Sequence, residues 1–417
     1  ARLVIRGEVR MNQPLSLLVK ILTLTLVLHG LPAAADEPDR ARDLGIPFEG
    51  TPGPLNSITD IAGIEVGHTT LFDGNGALEV GKGPVRTGVT VVHPRGKDST
   101  EAVFAGWFTL NASGEMTGTT WLEERGLIDG PIAITNTHSV GVVRDAAVAW
   151  MVRKGWTADW HAPVVAETYD GALNDINGFH VTREHALEAM QNAAPGPVTE
   201  GAVGGGTGMV CNGFKGGIGT ASRQISVGDK RYTVGVLVQC NYNWGGKDLR
   251  LGGRRVSTLL PVDEHCFTDS AIERHVDWYP YCDESHASTI SERTRDGSII
   301  VVIATDAPLL PHQLGRVAKR PSLALGRLGA ISTDGSGDIF VAFSTANSGR
   351  INESDFSDVE LYPNYELRTV FEATVQATEE AIVNAMVVAE TVVGASGFRV
   401  NEMPEEQVRA LFATDDQ

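Results

Sequence analysis

The most informative segment for chemistry is the junction at Gly297 and Ser298, where the sequence Arg-Asp-Gly-Ser leads directly into the apolar run Ile-Ile-Val-Val. A serine that opens a buried strand behind a glycine is what an N-terminal serine nucleophile requires. Glycine tolerates the strained backbone through which the Ser298 hydroxyl attacks the preceding carbonyl. Cleavage then frees an α-amine with a pKa of about 7.7–8.0, which serves as base for that hydroxyl. The competing interpretation is an ordinary turn before a strand.

Other catalytic patterns are weaker. No Gly-x-Ser-x-Gly motif of the serine hydrolases occurs, and the nearest case, Gly-Ser-Gly at 335–337, has the wrong spacing. His138 and His312 are candidate bases for a serine triad, although lone histidines are more often structural. The glycine-rich run at 204–208 could cradle a phosphate, but it lacks the Lys-Ser/Thr of a P-loop. We therefore expect a tight connection there.

The four cysteines fall into two pairs of different character. Cys266 and Cys282 lie close together in a polar stretch, which favours a disulfide in an oxidising compartment. A metal site is the alternative, because three histidines flank the cysteines, namely His265, His275 and His286. Their spacing fits no common zinc pattern. Cys211 and Cys240 adjoin apolar segments, and we predict that they are buried thiols.

The elements that must position these residues follow from hydrophobic patterning. Short apolar, β-branched runs predict strands covered on both faces; they lie at 88–92, 132–135, 164–166, 232–238, 299–303 and 339–343. Helical patterns lie between them, at 142–154, at 182–193 with Thr182 as N-cap, and at 367–393 with Gly394 as the stop. Strands covered on both faces by helices indicate a layered α/β sandwich.

Composition limits the class of protein. The chain has 417 residues, 42% of them hydrophobic, and a net charge of -18, so it is neither disordered nor a coiled coil. Nucleic acid and anionic membrane surfaces both require a basic face, which this balance does not favour. Two segments are predicted to be surface connections: 194–208, and the long polar stretch 245–297, which is a functional loop or a segment that is cut.

The N-terminal 35 residues have the features of an export signal. After Met11, Lys20 precedes the apolar run 21–28, and an Ala-Ala-Ala cleavage motif ends at Ala35. The apolar run is too short to span a bilayer as a final helix, although a membrane anchor is the alternative. We predict that residues 1–35 are an extension and signal peptide, and that the mature protein is periplasmic or secreted.

Several stretches of the sequence resemble those of a known family and follow one another in the family's order. The resemblance extends from about Gly53 to Pro404, and the stretches lie at 136–145, 167–171, 173–175, 204–209, 239–242, 297–301 and 335–338. In these stretches the sequence resembles the exported D-alanyl esterase/L-aminopeptidases and β-peptidyl aminopeptidases of peptidase family S58, which are self-processing N-terminal-nucleophile serine hydrolases. The resemblance implies a four-layer αββα sandwich. It also implies a heavy chain, 36–297, and a light chain, 298–417, that together form one catalytic domain.

The resemblance assigns roles residue by residue. It implies that cleavage after Gly297 exposes Ser298 as the nucleophile, and that the amide of Asn241 donates to the oxyanion. Ser336 and Asp338 match the pair that hydrogen-bonds near the nucleophile's amine, and their spacing of two places them on the same side of a strand. Some relatives carry Glu at the position of Asp338, so the shorter side chain here is a departure.

The resemblance places the ammonium group of a peptide, amide or ester substrate on Glu167. The sequence agrees, because a carboxylate at the end of the apolar run Val-Val-Ala needs a cationic partner or solvent. The alternative interpretation is that Glu167 forms a salt bridge within the protein. The resemblance implies no metal and no organic cofactor, and a tetramer of processed heterodimers. Two other functions remain open, an acyltransferase of the same fold and a secreted binding protein without catalysis.

Overall fold

Strands and helices follow one another in the order of a layered α/β protein. The computed structural model describes residues 39–260, 265–277, 279–283, 297–351 and 357–413. The strands are β1 (Glu65–Asp73), β2 (Val85–His93), β3 (Val103–Ala112), β4 (Leu127–Ile128), β5 (Ile132–Asn136), β6 (Val164–Thr168), β7 (Val210–Cys211), β8 (Phe214–Lys215), β9 (Gly217–Val227), β10 (Lys230–Asn241), β11 (Arg250–Leu251), β12 (Arg254–Arg255), β13 (Cys266–Phe267), β14 (Ser298–Thr305), β15 (Gly337–Ser344), β16 (Val392–Val393) and β17 (Phe398–Val400). The α-helices are α1 (Thr119–Arg125), α2 (Val140–Lys154), α3 (Arg183–Asn192), α4 (Pro311–Val317), α5 (Pro321–Arg327), α6 (Leu367–Val387) and α7 (Glu405–Phe412).

Two sheets form the middle of the molecule. One has six strands in the order β4-β3-β15-β14-β10-β9, and the other has four in the order β1-β2-β5-β6. Two neighbouring pairs are parallel, β14 with β15 and β5 with β6, while the other pairs in these sheets are antiparallel. Each parallel pair is joined by a helical crossover, α4 and α5 in the first case and α2 in the second.

Alternate side chains of the central strands enter different cores, and this creates the layers. In β14, Ile299 packs towards α4, α5 and α6, whereas Ile300 packs in the core shared with the four-stranded sheet. In β5, Ile134 lies in that shared core and Ala133 packs against α2 and α3. The order is therefore helices, sheet, sheet, helices, and the predicted αββα sandwich is confirmed. Burial on both faces explains the continuous apolar runs.

The predicted strands are all present, and two of the three predicted helices match closely. Thr182 caps the start of α3 as expected, through a capping box. The prediction for the longest helix is wrong at its end, because α6 stops at Val387. The β-branched pair Val392–Val393 instead forms β16, which is antiparallel to β17, so Gly394 follows a strand.

The glycine run at 204–208 is a tight connection, as predicted, but it is buried and not on the surface. A Cβ atom on Gly205 would lie 2.2 Å from the side-chain oxygen of Gln239, and one on Gly208 would lie 2.4 Å from the carbonyl oxygen of Arg86. Only a backbone without side chains fits between these groups. A run packed this closely leaves no space for a phosphate.

All four cysteines are paired. The predicted disulfide between Cys266 and Cys282 is confirmed, so these sulfurs are not available as metal-binding thiolates. The prediction of buried thiols at Cys211 and Cys240 is wrong, because these two also form a disulfide. The hairpin of β7 and β8 brings Cys211 against β10, with the two Cα atoms 5.6 Å apart.

Some predictions fall outside the described residues, namely the signal peptide at 1–35, His286 and most of the segment directly before Gly297. Of the other two histidines in the metal hypothesis, His265 is buried against Tyr279 and Phe398. In the described ranges, no helix is long and apolar enough to cross a membrane.

Candidate active site

Ser298 is the first residue of β14 and lies opposite Asn241 of β10 and Gly337 of β15. The backbone N–H of Gly337 lies 3.2 Å from Ser298 Oγ and 3.1 Å from the carbonyl oxygen of Gly297. One donor therefore contacts both the hydroxyl and the carbonyl of the preceding peptide bond. Gly297 has φ +149°, and a Cβ atom there would lie 2.1 Å from the carbonyl oxygen of Asn241, so only glycine fits.

A cavity of about 590 Å³ opens at the ends of these strands. Ser298 lines it from the six-stranded sheet and Glu167 lines it from the end of β6 in the four-stranded sheet. Its volume is that of a pocket for a small molecule or short peptide. The lining residues are Ser113, Gly114, Glu115, Thr137, Glu167, Tyr169, Trp244, Gly297, Ser298 and Gly335.

The carboxylate of Glu167 is buried but keeps two hydrogen bonds. Its Oε1 accepts from the backbone N–H of Glu115 at 2.9 Å, and its Oε2 accepts from the hydroxyl of Thr137 at 2.5 Å. Burial raises the pKa of Glu167, while these two hydrogen bonds oppose the rise. In the described part of the chain no Lys or Arg forms an ion pair with it, so the internal salt bridge is not observed. The cavity therefore presents a carboxylate that can receive a cation.

Asn241 and Ser298 are directly opposed on antiparallel strands, so their side chains project from the same face of the sheet. The Oδ1 atom of Asn241 accepts from the backbone N–H of Val210 at 2.8 Å, and Nδ2 donates to the carbonyl oxygen of Tyr169 at 2.8 Å. These bonds fix the orientation of the amide. Nδ2 carries a second hydrogen beyond the one given to Tyr169. Asn241 is fully buried and is not among the residues that line the cavity, so it lies behind Ser298 and Tyr169 in the wall.

Ser336 and Asp338 meet as their spacing predicts, since the Ser336 hydroxyl donates to Asp338 at 2.7 Å. Burial raises the pKa of Asp338, opposed by hydrogen bonds from Ser332 and Ser336. Asp338 is next to Gly337, the partner of Ser298, so its side chain projects from the opposite face of the sheet to that of Ser298. The pair lines a separate cavity of about 20 Å³ beside Tyr242, which has room for one water.

Comparison with known proteins places this arrangement in a family. Residues 56–400 match the family described as Peptidase family S58. The protein belongs to peptidase family S58. It is 55% identical over 390 residues to the beta-peptidyl aminopeptidase BapA of Sphingosinicella microcystinivorans, covering 91% of this chain and 93% of the relative. It is 44% identical over 406 residues to the BapA of Sphingosinicella xenopeptidilytica, covering 94% and 95%.

Solved structures with the same fold agree with this membership. One is the L-aminopeptidase D-Ala-esterase/amidase of Ochrobactrum anthropi, which matches with a TM-score of 0.76 and 43% identity. The match covers 90% of this chain and 98% of that one. That protein is described as a prototype for the serine aminopeptidases and a variant of the Ntn hydrolase fold. A Burkholderia sp. beta-aminopeptidase matches with a TM-score of 0.75 and 42% identity, covering 91% and 99%. This S58 protein is therefore a hydrolase, an aminopeptidase whose substrates are peptides, and the binding protein without catalysis is excluded.

The S58 site contains some of the predicted residues and several that the sequence did not suggest. Neither His138, which stacks on Phe179, nor the exposed His312 of α4 lines the cavity, so a serine triad with either histidine is not assembled. Thr137 was missed as the partner of Glu167, and Gly337 was missed as the donor to Ser298. Both lie in or beside stretches that carry the resemblance, but no local pattern marks their contacts.

Proposed function

We propose that the protein is a self-cleaving serine aminopeptidase, in which Ser298 is the nucleophile in maturation and in turnover. The observation that carries this proposal is the N–H of Gly337, which lies within 3.2 Å of both the Ser298 hydroxyl and the carbonyl oxygen of Gly297. A donor in this position polarises the carbonyl that the hydroxyl attacks. No comparable observation favours the acyltransferase.

Self-cleavage proceeds through an ester. Ser298 Oγ bonds to the carbonyl carbon of Gly297, the Gly297–Ser298 C–N bond breaks, and the nitrogen takes the proton that the hydroxyl loses. Water then hydrolyses the ester and leaves a carboxylate on Gly297 and an α-amine on Ser298. The left-handed backbone of Gly297 supports this step, because a φ of +149° is available to glycine alone among common residues.

Turnover uses the new amine as the base. It accepts the proton of the Ser298 hydroxyl, the oxygen attacks the substrate carbonyl, and the departing amine takes the proton. The free N–H of the Asn241 amide stabilises the oxyanion, and water releases the acyl group. The role proposed for Ser336 and Asp338 is to orient this amine. They are hydrogen-bonded to each other beside Gly337, on the opposite face of the sheet from the Ser298 side chain.

Glu167 selects substrates with a free N-terminal amine. A buried carboxylate that has hydrogen bonds, but no cationic partner among the described residues, favours an ammonium group at that end of the cavity. The names of the relatives indicate the residues released, namely β-amino acids and D- or L-amino acids from peptides, amides or esters. We propose these classes as the substrates here.

The two products of cleavage stay together, and the mature protein is exported. In the six-stranded sheet, β14 of the light chain lies between β10 of the heavy chain and β15 of the light chain, so both chains share one sheet. Two disulfides support an oxidising compartment beyond the cytoplasm. A tetramer of processed heterodimers remains part of this proposal.

Intact mass and N-terminal sequencing of the purified protein test this function. The expected result is two chains, the smaller beginning Ser298-Ile299-Ile300-Val301. A single uncut chain in folded protein with aminopeptidase activity would remove Ser298 from the mechanism. A panel of β-, D- and L-alanine p-nitroanilides, each with its N-acetylated counterpart, then defines the substrate. The acetylated compounds are expected to be inert.

A further inference from the structure

The disulfide between Cys211 and Cys240 lies beside the candidate oxyanion residue. Both cysteines are fully buried. Cys240 directly precedes Asn241, and Cys211 directly follows Val210, the residue whose N–H binds the Asn241 side chain. The crosslink therefore joins the two backbone segments that meet at this hydrogen bond. It lies on the helix side of the sheet, because Cys240 packs in the core with α6 while Asn241 projects from the other face.

The segment that carries Val210 has little regular structure of its own. The strands β7 and β8 are two residues each, and a hairpin this short is marginal without tertiary support. Asn212 donates its backbone N–H to the carbonyl of Tyr242 at 2.8 Å, and the buried Lys215 donates to the carbonyl of Met209 at 2.9 Å. The disulfide is the covalent connection of this hairpin to β10.

The orientation of the Asn241 amide depends on this hairpin. With the Val210 N–H in place, Oδ1 points to Val210 and Nδ2 points to the carbonyl of Tyr169, a residue of the cavity wall. If the hairpin moves away, the amide loses the Val210 donor, and only the carbonyl of Tyr169 still favours this orientation. A rotated amide would then present oxygen, which repels a developing oxyanion.

We infer that Cys211 and Cys240 are positioning residues for catalysis, whose disulfide holds the Val210 N–H against Asn241 and so keeps the amide nitrogen directed at the reacting carbonyl. This inference rests on the proposed function, in which Asn241 stabilises the oxyanion. The pair contacts neither substrate nor nucleophile and acts through Asn241 alone.

The test compares Cys211→Ala/Cys240→Ala with the matched control Cys266→Ala/Cys282→Ala, which removes the other disulfide. Kinetics at 25 °C use the alanine p-nitroanilide that the wild type cleaves fastest, and kcat is expressed per cleaved chain. Removing an oxyanion donor costs about 10²–10³ in kcat, so a misaligned donor is expected to lower kcat by about 10-fold. We expect KM to stay within about twofold, because ground-state binding is unchanged. The control is expected to keep its kcat.

A role in stability alone predicts a different pattern, namely a lower Tm with unchanged kcat at 25 °C, and that result would overturn the inference. An equal loss of kcat in the control would do so as well. If the alanine pair does not fold, Cys211→Ser/Cys240→Ser, which comes closer to the cysteine side-chain volumes, replaces it. The half-time of self-cleavage is recorded for every variant.

Asn241→Ala separates this inference from the proposed function. If the disulfide acts through Asn241, its removal in the Asn241→Ala background causes no further loss of kcat. Additive losses would show that the crosslink acts elsewhere, and the inference would be wrong. If Asn241→Ala alone keeps wild-type kcat, the oxyanion assignment in the proposed function fails instead.

Discussion

Ser298 and Glu167 line one cavity although they belong to different sheets, Ser298 at the start of β14 and Glu167 near the end of β6. The hydroxyl is in contact with the backbone N–H of Gly337, and the carboxylate is held by Glu115 and Thr137. In the proposed function, a free N-terminal amine held by Glu167 directs the first carbonyl of a substrate towards Ser298. This arrangement leads to four predictions.

Ser298→Ala is expected to give one uncut chain without aminopeptidase activity, because both the attacking oxygen and the new N-terminus depend on this residue. Intact mass and hydrolysis of an alanine p-nitroanilide measure the two losses. The control is Ser113→Ala, since Ser113 lines the same cavity. The control is expected to be cut and active. A cut or active Ser298→Ala protein would contradict the assignment.

Glu167→Gln retains the shape of the side chain but removes the charge that binds the ammonium group. A hydrogen bond to a charged group contributes about 1.5–3 kcal/mol, so kcat/KM is expected to fall by about 10- to 100-fold, mainly through KM. Glu115→Gln is the matched control, because Glu115 contacts Glu167 through its backbone N–H, which the substitution keeps. Equal effects of the two substitutions would show that the cavity attracts cations only through its overall charge.

The pH dependence of binding is expected to report the pKa of Glu167. Burial raises this pKa, and in the proposed function the ammonium group binds only the ionised carboxylate. Protonation of Glu167 therefore adds an acid limb to kcat/KM at the raised value, beside the fall that follows protonation of the Ser298 amine. Thr137→Val removes a hydrogen bond that lowers the pKa, and the acid limb should move to higher pH. Thr137→Ser keeps a hydroxyl and should restore the wild-type profile. An unshifted limb in Thr137→Val would mean that another group controls it.

Asp338→Asn is expected to slow turnover and self-cleavage while increasing stability at neutral pH. Burial raises the pKa of Asp338 above its unfolded value, so ionisation of this carboxyl opposes folding. The resulting loss of stability develops as the pH rises from the unfolded to the folded pKa, and it is absent at lower pH. Asparagine carries no such charge and keeps an oxygen for Ser336.

Thermal unfolding at several pH values measures this effect. The Tm of Asp338→Asn should exceed that of the wild type at pH 7, and the difference should disappear in acid. Ser336→Ala is the companion variant, since it removes a hydrogen bond that lowers the pKa of Asp338 and should therefore lower the Tm at pH 7. A lower Tm for Asp338→Asn at pH 7 would show that the ionised carboxylate stabilises the fold.

The sequence by itself determined the strands, the layered α/β class and the candidate nucleophile, and the four-layer αββα arrangement followed from the family resemblance. Runs such as 299–303 have the two-sided burial of a central strand, and this property is local. The Gly297-Ser298 junction is also local, because a glycine with an unusual φ and the following strand are neighbours in the chain. The family resemblance added Asn241, Ser336, Asp338 and Glu167 as expectations.

The tertiary structure alone decided which distant residues meet. The pairing of Cys211 with Cys240, the hydrogen bond from Thr137 to Glu167, and the N–H of Gly337 at Ser298 each depend on strand order and register. The early end of α6 has the same origin, because the pairing of β16 with β17 overrides a helical pattern. Local periodicity favours one conformation for a segment, but sheet order is set by the packing of the whole chain, and no short stretch of sequence encodes it.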